Sequence, residues 1–345
     1  MTAGPLEFHA GRRVREHVAR EGFRLEDFPT LLGAAGGPKW LVLYGLDRVL
    51  APRVRAAAST ARPVDLIGSS IGAWRFAAWL HDAPVAALDR LFETYVDPEP
   101  FERPLASYDA LFRRYLEALF GDAGAAELLA CTNARLHAIV TRFPESALPH
   151  LVQLGLAAAR NAVSRERFLA AAERVVVGSA PLPGALQAAW PHRHLPLAAD
   201  NLVPALMATA AVPGMIAPVR DLEPGSRAVD GGIIDYHFDG SQTAGGFVLY
   251  PHFRATLTPG WFDKAFAGRQ RQAAEIDELL LICPSAEFVA SLPQGHIPDR
   301  GDPRRLPGVA CAESWRAAGE ASHQLGEALE EILDRDRIPE LLAAT

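Results

Sequence analysis

The sequence predicts an α/β fold with a mainly parallel central sheet and helices on both faces. Short apolar or β-branched runs alternate along the chain with longer helix-like segments. One such run, residues 63–67, passes through glycine directly into a helix-like stretch, and no internal repeat or low-complexity tract competes with that alternation. The chain has 345 residues, 49% apolar and 22% charged, which is enough apolar surface for one large core. Nothing in the sequence marks a second, independent core, so a single domain is expected over 1–345.

The elements follow in order. Leu31 and Leu32 make a short strand, and a turn containing Gly33, Gly36 and Gly37 comes after it. A helix is predicted over 39–50, because Leu41, Leu43, Leu46 and Leu50 supply a buried stripe. Residues 63–67 read as a strand and 71–80 as a helix. Residues 86–130 read as mostly helical, broken by Pro98, Pro100 and Pro104. Alternation over 135–141 predicts a strand, 148–169 a helix, and the β-branched run 174–177 a buried strand. Residues 181–196 read as a proline-rich loop that leaves Trp190, His192 and His194 partly exposed. A helix over 201–211 would take Asp200 as its cap. Strands are expected at 247–250 and 279–282. A linker-like stretch, 292–307, then leads to one long helix over 314–333. The motifs fall within about 28–285, and the helical tail covers about 308–345.

Composition excludes several functions. With 41 acidic against 34 basic side chains the net charge is −7. That argues against a nucleic-acid partner, since phosphate contacts need clustered cations. Cys131, Cys283 and Cys311 are too scattered for a disulfide framework or a zinc site. His192 and His194 have no Asp, Glu or Cys at ligand-like spacing nearby, so no metal is expected. Residues 1–10 lack a long apolar run, and no stretch of eighteen apolar residues exists. A cytoplasmic protein is expected, with any membrane contact peripheral; Arg12, Arg13, Arg15 and Arg20 form a helix face that meets either solvent or anionic lipid heads. Only two lysines occur, Lys39 and Lys264.

Three motifs carry chemistry. Gly68-Ser69-Ser70-Ile71-Gly72 lies between a strand run and a helix run. A nucleophile at such an elbow needs a strained turn, and glycines two residues either side of Ser70 relieve its crowding. The following helix would aim backbone N–H groups at a developing oxyanion. Upstream, Gly36 and Gly37 form a turn whose N–H groups suit an oxyanion hole. It lacks the third spaced glycine of a dinucleotide fingerprint, and Lys39 is not in P-loop register. Downstream, Val229-Asp230-Gly231-Gly232 puts a carboxylate on a glycine-flanked turn, where it can approach a serine hydroxyl.

In order and kind these pieces resemble the patatin-like phospholipases, a family of serine acylhydrolases with a Ser-Asp dyad. Gly36-Gly37-Pro38-Lys39 is similar to that family's glycine-rich oxyanion motif, and Gly45 falls six residues past the basic residue as its pattern expects. Gly68 to Gly72 matches the nucleophile elbow. The segment Ala208 to Pro213 resembles the small-residue stretch before the dyad aspartate, and Asp230-Gly231-Gly232 matches the aspartate turn. The resemblance covers roughly residues 28–250. It implies a three-layer patatin-like fold and a cofactor-free hydrolase acting on acyl esters or phospholipids. Ser70 would be its nucleophile and Asp230 its base, with Gly36, Gly37 and Ile71 in the oxyanion hole and Lys39 lending positive potential. Ala35, Pro38 and Trp40 depart from the family pattern, as does the run Ile233-Ile234-Asp235-Tyr236-His237.

Two other readings stay open at this level. His237, His252, His296 and His323 all follow Asp230, the chain order of a Ser-His-Asp α/β-hydrolase. A catalytically idle scaffold that keeps the fold and binds lipid is the other. Trp74 and Trp79, just past the elbow, either line an acyl pocket or pack the core.

Overall fold

The structure of the chain, a computed structural model, describes residues 2–102, 107–122, 124–223 and 225–343. A ten-stranded sheet runs through it in the spatial order Thr2–Ala3, Leu6–Ala10, Leu279–Pro284, Val248–Pro251, Thr30–Gly33, Val64–Ser69, Ala134–Pro144, Glu173–Gly178, Arg193–Pro196. The tenth strand, Ser226–Asp230, pairs with the far end of Ala134–Pro144. The run from Leu279–Pro284 through Val248–Pro251, Thr30–Gly33 and Val64–Ser69 to Ala134–Pro144 is parallel throughout. Antiparallel pairing enters on the Leu6–Ala10 side and where Ala134–Pro144 meets Glu173–Gly178 and Ser226–Asp230. The chain is therefore α/β with a mixed, mostly parallel central sheet and helices packed around it.

Successive residues of a strand face opposite sides of a sheet, and Ala228 and Val229 show what covers each side. Ala228 packs with Ala205 and Ala208 of the helix Leu202–Thr209. Val229 packs with Leu154 and Ala157 of the helix His150–Val163. Both faces are covered at the end of the sheet that carries Asp230. The central strands are buried along their whole lengths, as a two-sided parallel sheet requires.

Several expectations are corrected. The helix predicted from residue 39 begins instead as a 3₁₀ turn, Gly37–Leu43, and becomes α-helical over Tyr44–Ala57. Pro38 suits such a start because its missing N–H would be unpaired there anyway. Residues 181–196 are not all loop: they hold a short helix, Gly184–Ala189, and the edge strand Arg193–Pro196. Trp190 is buried, with the Arg174 guanidinium 4.6 Å from its ring. Asp200 does not cap the next helix. Asn201 precedes Leu202, and its side-chain Oδ1 accepts from the Ala198 N–H rather than from the helix. Pro104, one of the expected breaks, lies outside the described residues. Sequence reading also passed over the strand Leu6–Ala10.

The expected long tail helix is two helices, Val309–Ala321 and His323–Asp334. At the break, Ser322 donates its hydroxyl to the Gly319 carbonyl and accepts from the Gly45 N–H. Such side-chain bonds compete with the helical ladder. Trp315, Leu325 and Leu329 belong to the same hydrophobic cluster as the central strands. The arginines of the N-terminal helix, Arg12–Glu21, stand at the surface and make local contacts. Arg12 pairs with Glu16 and Asp277, Arg13 with Glu278, and Arg20 with Glu21, while Arg15 donates to the Ala10 carbonyl.

Candidate active site

Ser70 stands between the strand Val64–Ser69 and the helix Ile71–Trp79, with φ +55° and ψ −127°. A side-chain-bearing residue rarely adopts that conformation, which costs of order 1–3 kcal/mol. The glycines beside it answer a steric demand. A Cβ on Gly72 would lie 2.0 Å from the Gly33 carbonyl oxygen, and one on Gly68 would lie 2.5 Å from the Ala73 nitrogen. The helix is thus pressed against the strands so that its first turn meets the strand ends. Gly72→Ala is expected to cost about 3 kcal/mol or more, because backbone on both sides must move. Thermal denaturation monitored by circular dichroism checks this.

Register brings the carboxylate to the serine. Ser69 lies opposite Ile139, and Asp230 lies opposite the next residue, Val140. Glu173–Gly178 occupies the other edge of Ala134–Pro144 at that level, so Ser226–Asp230 takes up the edge where Val64–Ser69 leaves off. The strand ends meet, and the Ser70 hydroxyl donates to Asp230 Oδ2 at 3.3 Å, with both residues buried. The other carboxylate oxygen, Oδ1, accepts from the Gly232 N–H at 2.7 Å. Thr209 fixes the remaining geometry: its hydroxyl accepts from the Ser70 N–H at 2.9 Å and donates to the Ile139 carbonyl. The Asp230 N–H donates to the Ala211 carbonyl at 3.0 Å. The stretch 208–213 therefore clamps both members of the pair.

Burial raises the Asp230 carboxyl above its ordinary range, opposed first by Arg300 and then by the Gly232 N–H, the Ser70 hydroxyl and Lys264. Arg300 brings a guanidinium nitrogen to 3.8 Å from Asp230 Oδ2. It comes from the linker-like stretch 292–307. A clasp around Asp302 holds that stretch, since its carboxylate accepts from the Asp299 N–H at 2.8 Å and the Trp315 indole at 2.9 Å, and pairs with Arg305 and His296. Both lysines of the chain also converge here. The Lys264 ammonium sits 3.8 Å over the Tyr236 ring, pushed down to about 8 by burial and by Arg300 and Lys39. Lys39 is half-buried with its ammonium 5.7 Å from the centre of Phe253. Burial holds it below the usual lysine range while Asp299 pulls the other way.

Two cavities meet at Arg300. The larger, about 960 Å³, exposes Ser70, Ile71, Gly37 and Pro38 beneath an aromatic wall that includes Trp74, Tyr95 and Phe112. The smaller, about 270 Å³, is lined by Asp230, Gly232 and apolar side chains including Leu154, Val212 and Phe262. Gly37 and Ile71 are the first residues of their helices, whose N–H groups have no intrahelical acceptor. Gly37 has φ +56°, a left-handed conformation that favours glycine. Gly36 does not line either cavity; it packs against Phe253 and the Lys39 side chain. Trp40 is buried edge-to-face against Tyr44 and Tyr95, clear of both cavities. Ala35 gives its N–H to the Tyr236 carbonyl at 2.9 Å. Trp74 lines the larger cavity, whereas Trp79 is a core residue packed on Phe76.

The histidines fall elsewhere. His237 accepts from the Thr258 N–H, and burial keeps its ring well below the ordinary histidine range. His252 faces the Arg254 backbone and is pushed down to about 3 by burial. His296 pairs with Asp302, and His323 packs edge-on against Tyr44. Among the described residues, no histidine is hydrogen-bonded to Ser70 or Asp230. The residues that sequence reading missed are Thr209, Lys264 and Arg300. Thr209 lay inside a quoted segment, but neither Lys264 nor Arg300 belongs to any motif.

No protein-family model matches the chain, and no curated protein matches it.

Proposed function

We propose that this chain is a serine acylhydrolase of the patatin-like kind, cleaving carboxylic esters of lipids or lipid-like acyl compounds without a cofactor. The observation that carries the reading is the buried Ser70–Asp230 hydrogen bond at a strained strand-to-helix elbow. Ser70 Oγ attacks the acyl carbonyl carbon as Asp230 Oδ2 takes its proton. The oxyanion meets the N–H groups of Ile71 and Gly37, helped by the positive end of the Ile71–Trp79 helix. The carbonyl re-forms, the alcohol leaves with the proton held by Asp230, and water repeats the attack on the acyl-enzyme. Aromatic and apolar cavity walls on both sides of Arg300 favour substrates with long apolar parts. A tagged fluorophosphonate should label the wild-type protein on Ser70, as read by peptide mass spectrometry. Absence of labelling argues for the idle scaffold, and labelling on another residue takes the nucleophile away from Ser70.

Arg300 tunes the base. Its guanidinium favours the ionised form of Asp230. Arg300→Ala should therefore raise the Asp230 pKa further, and the acidic limb of the kcat/KM profile should move to higher pH. A limb that stays in place or moves down would remove Arg300 from this role.

A further inference from the structure

The helix His150–Val163 buries Leu154, Ala157 and Asn161 on its inner face. An ordinary surface helix turns polar side chains outward; this one turns out Leu151, Val152, Leu156 and Val163. Leu151 and Val163 stand 67% and 64% exposed. Leu148 before the helix and Trp261 beside it extend the patch. Among the described residues, Tyr108 is the one large exposed apolar side chain that does not belong to it. Such a patch marks a contact with a partner or a membrane.

Its charge selects the occupant. No acidic residue lies between Glu145 and Glu166, in a chain whose net charge is −7. Among the described residues, neither the exposed Arg160 guanidinium nor the Lys264 ammonium, 5.6 Å from the Trp261 ring, has a carboxylate within ion-pair distance. An apolar face bordered by cations and a tryptophan matches an anionic lipid surface. The patch is also continuous with the site, because Leu151, Gly155 and Trp261 line the same small cavity as Asp230.

We propose that this face docks on an anionic lipid bilayer and seats the mouth of the smaller cavity at the membrane surface. The inference rests on the acylhydrolase reading only for the cavity's role as a substrate path; the docking itself has its own test. Wild type and Ser70→Ala should both float with phosphatidylglycerol–phosphatidylcholine vesicles. Val152→Glu/Leu156→Glu, which alters neither cavity, should lose roughly tenfold or more of that binding. Its turnover of a p-nitrophenyl ester without vesicles should equal wild type, which also reports that it folds. Arg160→Glu, a solvent-exposed change, should weaken binding to the anionic vesicles and leave binding to pure phosphatidylcholine unchanged. The proposal is overturned if wild type stays with the soluble fraction, if both variants float like wild type, or if light scattering shows that the patch instead joins two copies of the chain. Wild type that floats yet hydrolyses no ester would leave docking standing and remove the acylhydrolase reading.

Discussion

Ser70→Ala is expected to lower turnover of a p-nitrophenyl acyl ester by roughly 10⁴-fold or more, with the protein still folded. The size follows from the chemistry: without the hydroxyl no acyl-enzyme forms, and only oxyanion binding of a water-attack transition state remains. The backbone torsions that strain residue 70 stay the same with alanine, and the Thr209 hydroxyl still accepts from its N–H. The loss should therefore appear in kcat with little change in melting temperature. Ser70→Gly gives the complementary result, because glycine relaxes a conformation costing of order 1–3 kcal/mol. It should be equally inactive and melt higher. Ester hydrolysis that persists in Ser70→Ala would assign the activity to another residue and reduce the elbow to packing.

How much of this was legible beforehand depended on the range over which each feature is encoded. The elbow is local: five residues between a strand and a helix state the turn, and Gly68 and Gly72 meet the backbone contacts that their spacing implied. The strands at 64–69, 134–144 and 173–178 were equally readable, because β-branched runs and alternation are written in adjacent residues. The approach of Asp230 to Ser70 is encoded differently. It depends on the register of two strands against a third, and no local pattern states register. It was legible only through the resemblance of four motifs in order. Arg300 was not legible, because a proline- and glycine-rich stretch reads as a linker whichever way its side chains point. Its place is set by Asp302, which the Trp315 indole ties to the tail helix, a contact between residues thirteen apart that no local pattern states. The exposed apolar helix face was missed for a related reason: periodicity marks 148–169 as helical without saying which apolar side meets the core.

Asp230→Asn should separate catalysis from stability most clearly. The amide cannot take the Ser70 proton, so turnover should fall roughly 10⁴-fold. Asn keeps an oxygen for the Gly232 N–H, so the turn can persist. The stability effect has the opposite sign. Burial raises the folded-state pKa of Asp230 above its unfolded value of about 3.9. Folding therefore favours the protonated carboxyl: its contribution is complete below the unfolded value and is lost as pH rises through the folded one. Wild-type activity, which needs the ionised form, rises over that same interval. Asparagine stays neutral throughout and escapes the cost, while Arg300, with a side chain 37% exposed, loses a partner that solvent largely replaces. The variant should melt at or above the wild-type temperature at pH 7, and the gap should close as the pH falls toward 4. Thermal melts across that range decide the matter, because an inactive variant that melts lower at pH 7 would make Asp230 a structural cap whose charge the fold needs rather than a base held against its own solvation.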